Sequence, residues 1–398
     1  MVALTLSWSG PALAQRPTPK VHPTPTAAAA KAVRGQFPLT PIETIWTLPL
    51  NNTLAQPPAY DGVHAFFAID GDRLAAYDLI SGKQEWLVDG TPLMQPAAGD
   101  GLLFLVEPGV LKALHAADGS LAWWIPFEET LAARPVWDNG WLIVATARGD
   151  VRAFRATDGQ QIWTRDLTSP AHAAPALAAD RVYVPTTDHR IVALRVETGE
   201  IVWERRLGGA VNEILALEDR LFAGALDNFF YCVMAKDGRV DWRQRTGEVV
   251  GTPIADEHSV YFVSFDNVLR AMSKVSGGQL WIRPLPMRPA WGAAKAGATI
   301  VVAGQNVPMR AFNVKDGVAA GTLTGPSPDA EVAAAPHVLE HPVSHLPVVL
   351  LSFREIAKGA SATLVVRSIE PALVPAVSAL PNLVQIAPVA PITPPPRP

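Results

Sequence analysis

The chain has 398 residues, with Lys+Arg 33 against Asp+Glu 37 for a net charge of -4, and only 18% charged against 49% hydrophobic side chains. That balance gives no clustered basic surface for nucleic acid, and no apolar run reaches the roughly 18 residues that a membrane-spanning helix needs. The lone cysteine, Cys232 in "FFYCVMA", excludes an intramolecular disulfide and reads as a small buried hydrophobe on a strand.

In chain order, residues 1–14 run from apolar to small and end in Ala12-Leu13-Ala14, an A-x-A cleavage pattern. An export signal is expected there, with its basic start missing. No cysteine follows the apolar stretch to carry a lipid, so a periplasmic or secreted protein is expected. Residues 15–40 are rich in Pro, Thr and Ala and predict a flexible or partly polyproline linker. Residues 371–398 hold nine prolines interleaved with Leu373, Val374, Leu383, Val384 and Ile386. They read either as a disordered tail or as a segment that docks on the body or on a partner.

Between these ends, residues 41–370 repeat. Turn glycines stand at Gly82, Gly119, Gly159, Gly199, Gly238, Gly277 and Gly317, at intervals of 37, 40, 40, 39, 39 and 40. Six are followed four residues later by Trp86, Trp123, Trp163, Trp203, Trp242 and Trp281; the seventh is followed by Gly321. Forty residues before Trp86 stands Trp46. A period near forty is the mark of a repeat architecture. Within one period, "DRVYVPTTDHRIVALRVETGEIVWERRL" alternates apolar and polar residues between turn dipeptides, the pattern of half-buried strands joined by tight turns. A further strand precedes these near Pro96, Pro135, Pro175 and Pro253. Each period is thus a four-stranded antiparallel meander.

Four-stranded units at this spacing predict an all-β, eight-bladed propeller, each sheet burying its faces against its neighbours. The Trp supplies flat apolar area for that contact, and the Gly supplies the positive φ of the turn. The segment around Trp46 has no strands before it, and the strands after Gly321 lack a fourth. The N-terminal strand is therefore expected to complete the last blade, which leaves no free edge.

The segments "AYDLISGKQEW", "ALHAADGSLAW", "AFRATDGQQIW" and "ALRVETGEIVW" resemble the repeat of quinoprotein (pyrroloquinoline quinone, PQQ) propellers over nearly the whole body. That family has an enzymatic branch, the PQQ-dependent alcohol dehydrogenases, and a non-catalytic branch typified by BamB-type propellers of outer-membrane protein assembly. The enzymatic branch implies PQQ held against a ring of two adjacent cysteines, and a Ca²⁺ bound by Glu, Asn and Asp. No cysteine pair exists here. The resemblance therefore points to a non-enzymatic scaffold with no catalytic, cofactor or metal residue, monomeric, without a transmembrane segment, and binding an envelope protein, in the BamB manner a β-barrel assembly component. A PQQ- and Ca-dependent alcohol oxidoreductase is the alternative, and a glycan-binding module a third.

Other patterns read as structure. Asp188, Asp227 and Asp266 recur at 39-residue intervals with Asn228 and Asn267. They occupy the same hairpin turn in successive units, where Asp and Asn are ordinary. His337, His341 and His345 fall in "HVLEHPVSH", read as a solvated loop between two strands. No phosphate cradle or nucleophile elbow is present. Interface-prone residues gather in the loops between units: Phe127, Trp137 and Trp141; Arg205, Arg206, Asn212 and Glu213; Arg283, Met287, Arg288 and Trp291. Of these, Arg205, Arg206, Asn212, Glu213, Arg288 and Trp291 are expected to meet a partner.

Overall fold

The computed structural model describes residues 39, 42–305, 307–328, 330–341, 346–355 and 361–369. The expected export signal, nearly all of the linker and the Pro-rich tail lie outside the described residues. Seven sheets follow one another, each of four antiparallel strands in chain order: residues 59–89, 97–126, 136–166, 176–206, 211–245, 254–284 and 289–323, called blades 1 to 7. In blade 8, Ala330–Val332 and His337–Glu340 both pair with Pro347–Glu355, which pairs with Ser361–Ile369. Ile42–Pro49 lies antiparallel to Ser361–Ile369, with Trp46 opposite Val366. The described residues contain no helix. The architecture is the all-β, eight-bladed propeller that the forty-residue period predicts.

Two features depart from the sequence reading. The first strand of blade 8 is broken into two short pieces around Ala333–Pro336. The central strands are also not half-buried. Leu102–Glu107, Arg220–Ala225, Ser259–Ser264 and Thr299–Gly304 are buried at every residue. Successive strand side chains point to opposite faces, and here both faces meet another blade. Ile143 joins the core shared with blade 4, while Leu142 joins the core shared with blade 2. Eight such cores exist, each made by two adjacent blades, including one between blades 7 and 8 and one between blades 8 and 1. The hydrophobic interior is thus a ring of eight interfaces, and no blade has a core of its own.

Seven of those interfaces are closed by one device. The indole Nε1 of Trp46, Trp86, Trp123, Trp163, Trp203, Trp242 and Trp281 donates to the carbonyl of Leu79, Ala116, Ala156, Val196, Ala235, Lys274 and Val314, each on the following blade. The same indole lies over the turn glycine of that following blade. A Cβ placed on Gly82, Gly119, Gly159, Gly199, Gly238, Gly277 or Gly317 would come within 2.5–2.9 Å of the ring. All seven also have φ between 66° and 72°. Two separate demands, a left-handed backbone and a ring packed on Cα, therefore fall on one residue.

Within blades 1 to 6 the Trp stands opposite a small residue at a β-bulge. Ala76, Ala113, Ala153, Ala193 and Ala271 face Trp86, Trp123, Trp163, Trp203 and Trp281. Cys232 takes that place opposite Trp242. It is buried, and burial pushes its thiol up to about 11, so it stays a protonated space-filler.

Candidate functional site

Much of what the sequence offers for contact is used by the scaffold. Two residues after the Trp, Arg165, Arg205 and Arg283 reach the next blade's turn and donate to the carbonyls of Gly199, Gly238 and Asp316. Arg205 thus belongs to a blade junction. Phe127 is buried, with the Arg152 guanidinium 5.7 Å from its ring centre. Trp137 lies over Gly99 of blade 2, Trp141 packs into the core of blades 3 and 4, and Met287 is buried between blades 6 and 7.

The three aspartates are satisfied in or beside their own hairpins. Asp188 accepts from Thr186 and Arg190. Burial works against its charge, but these bonds outweigh it and hold the carboxyl below its usual range. Asp227 accepts from the Tyr231 hydroxyl, and Asp266 from Ser264 and the Gly247 N–H. The adjoining His189, Asn228 and Asn267 have φ of 71°, 63° and 64°, the turn conformation that Asn favours.

The histidine stretch is corrected. His337 is a strand residue, its ring stacked on Tyr60 of blade 1 at 3.9 Å, and burial pushes its pKa down to about 4. His341 is buried rather than solvated, and His345 lies outside the described residues.

The remaining interface candidates gather at one end of the propeller, where each outer strand hands over to the first strand of the next blade. Arg206 is exposed there, donating to the Asp188 carbonyl, and Arg288 is exposed with its guanidinium 3.4 Å from Glu248. Asn212 and Glu213 begin the first strand of blade 5, and Trp291 lies in the first strand of blade 7. Asn212 Nδ2 donates to the Val250 carbonyl at 2.7 Å, while its Oδ1 and the Trp291 Nε1 are buried without a partner.

The repeat register extends this set. The residue at the mouth of each first strand is Pro57, Gln95, Arg134, Ala174, Glu213, Thr252, Gly292 and Ala335 in blades 1 to 8. Gln95 Nε2 donates to the Pro58 carbonyl on the preceding blade, and Gly292 lies against Thr252. Burial pushes the Glu213 carboxyl above its usual range, tempered by Thr252 and by the charge of Arg134. Burial likewise pulls Arg134 below its usual range, although its side chain keeps open access to solvent at the mouth. The place of Arg134 shows only when the repeats are aligned, a proline following this position in six of the eight units.

A ring of four-stranded blades, docked through a Trp that stands four residues after each turn Gly, defines a PQQ-repeat propeller. The model of the family described as outer membrane protein assembly factor BamB matches residues 43–124, 107–217 and 205–343, and the chain belongs to that family. BamB from Moraxella catarrhalis superimposes with a TM-score of 0.66 at 18% identity, covering 82% of this chain and 99% of that one. A quinohemoprotein alcohol dehydrogenase from Comamonas testosteroni does so at 0.63 and 13%, covering 82% and 76%. The WD40 domain of Sif2 gives 0.64 at 10%, covering 81% and 97%. At these identities the likeness is one of fold. No curated protein sequence matches the chain. No helix among the described residues is long and apolar enough to cross a membrane.

Proposed function

We propose that this protein is a non-catalytic binding platform of the cell envelope, acting in outer-membrane protein assembly as a scaffold that holds a protein partner. The observation that carries the reading is the family match over residues 43–343. The physical argument agrees with it. The blade junctions absorb the Trp, Gly and Arg of the repeat, and Arg206 and Arg288 remain exposed at one axial end, with Trp291 half-buried against the core of blades 7 and 8. An Arg- and Trp-bearing surface on a rigid ring suits protein recognition.

The quinone reading was tested against the donor set. Holding PQQ as the dehydrogenases do requires an adjacent cysteine pair, and the single cysteine lies buried in blade 5 beneath Trp242. Ca²⁺ requires six to eight oxygen ligands. Of the eight aligned mouth positions Glu213 alone is a carboxylate, and among the described residues no group of three or more His, Cys, Asp or Glu is arranged to hold a metal. These residues do not fit the quinone–calcium pair.

Crosslinking in the native envelope tests the proposal. A β-barrel assembly component should be recovered with the wild type and lost with Arg288→Glu combined with Trp291→Ala. Dye-linked alcohol oxidation on addition of PQQ and Ca²⁺, with no such crosslink, would reverse it.

A further inference from the structure

We infer that the chain just beyond the last strand, at Leu373 and Val374, docks on the seam between blades 7 and 8 and takes the place of the tryptophan that this seam lacks. The inference does not depend on the envelope role.

In seven blades an indole on the outer strand covers the turn that joins the third and fourth strands of the following blade. Blade 8 has no such turn. Its third strand, Ser361–Ile369, and its fourth, Ile42–Pro49, come from opposite ends of the chain, and Ile369 stands opposite Ile42 where the turn would be. The blade 7 residue that would face it is Gly321. Val318, Ala319 and Gly321 are all exposed, whereas Trp163 and Trp281, at the position of Gly321 in their own blades, are buried. The seam therefore presents small and apolar residues to solvent at the place where both ends of the chain emerge.

One of those ends already covers part of the seam. Leu39 is fully buried in the core that holds Met309, Leu323 and Phe353, and its N–H bonds Thr299. The other end continues from Ile369 as Glu370-Pro371-Ala372-Leu373-Val374-Pro375. Leu373 and Val374 are its first large apolar side chains, four and five residues on. They reach no farther than about 17 Å from Ile369. Pro371 and Pro375 bracket the pair; each fixes φ and has no N–H, so ordering this stretch costs less chain entropy and leaves fewer donors to satisfy. A segment on so short a tether stands at an effective concentration of about millimolar, which places it on the seam ahead of any partner arriving from solution.

Hydrogen exchange on the full chain tests this. Leu373→Asp with Val374→Asp should speed exchange of the Val318–Leu323 amides about tenfold. Gln161–Asp166, the outer strand of blade 3, should keep the parental rate, which separates loss of the contact from loss of the fold. Leu383→Asp with Val384→Asp, farther out in the same tail, should leave both segments at parental rates. Parental exchange of Val318–Leu323 in the first variant, an equal acceleration on blade 3, or the same change from the second pair would overturn the inference. So would protection of Val318–Leu323 that rises with protein concentration, since that would assign the face to a second copy of the chain.

Discussion

Seven blade junctions and the eighth are built differently. From blade 8 round to blade 7, each junction has an indole bonded to a carbonyl on the next blade and lying over that blade's turn glycine. Between blades 7 and 8 the Trp position is Gly321, with φ of 152°. That junction is held by apolar packing of Met309, Leu323, Val349, Leu351 and Phe353, and by Leu39. Leu39 is fully buried there, and its backbone N–H donates to Thr299 Oγ1 at 2.8 Å. A residue preceding the first strand thus helps to fill the interface that lacks its tryptophan. The repeat device can lapse at one seam, provided another part of the chain covers that seam with apolar surface.

The largest expected effect comes from removing the strand that joins the two ends. Deleting residues 41–50 strips Ile42–Pro49 from blade 8 and Trp46 from its junction, and leaves Ser361–Ile369 as a bare edge. The deletion should be aggregation-prone on size exclusion; a monomeric product with the parental melting curve would break the comparison.

Next in size is Trp163→Ala, which removes a buried indole and its bond to Val196. It should lower unfolding free energy by about 3–5 kcal/mol, measured by denaturant titration. Gly199→Ala meets both a left-handed φ of 68° and the Trp163 ring at 2.6 Å, and should cost about 2–3 kcal/mol.

An effect of similar size is a pH slope at the junction of blades 8 and 1. His337 has a folded pKa of about 4 against 6.5 for the free side chain. Below 6.5 the unfolded chain takes up a proton that the folded one refuses, so stability is lost as pH falls from 6.5 towards 4, by up to about 3 kcal/mol. His337→Phe keeps a ring on Tyr60 and should flatten that slope in thermal melts between pH 4 and 7; an unchanged slope would place the titration elsewhere.

The fold was legible because its determinants recur: a Gly every 37 to 40 residues and a Trp four residues after it. The pairing was less legible. Gly199 and Trp203 are neighbours in sequence, yet the ring over Gly199 is Trp163, 36 residues earlier. Nothing local distinguishes a glycine needed for φ from one also needed as a floor. Arg205 read as an interface residue because an exposed Arg and one spent on a neighbouring turn have the same sequence signature. His337 was misread because Pro342 and the nearby histidines suggest a loop, while the stack on Tyr60 is set by ring geometry.

Native-state hydrogen exchange tests the contrast between the junctions most directly. Backbone amides of Met309–Phe312 and Val349–Phe353, flanking the junction without an indole, should exchange faster than those of Val151–Phe154 and Val182–Pro185, flanking the junction closed by Trp163. Equal protection at the two sites, or slower exchange beside Gly321, would contradict the account.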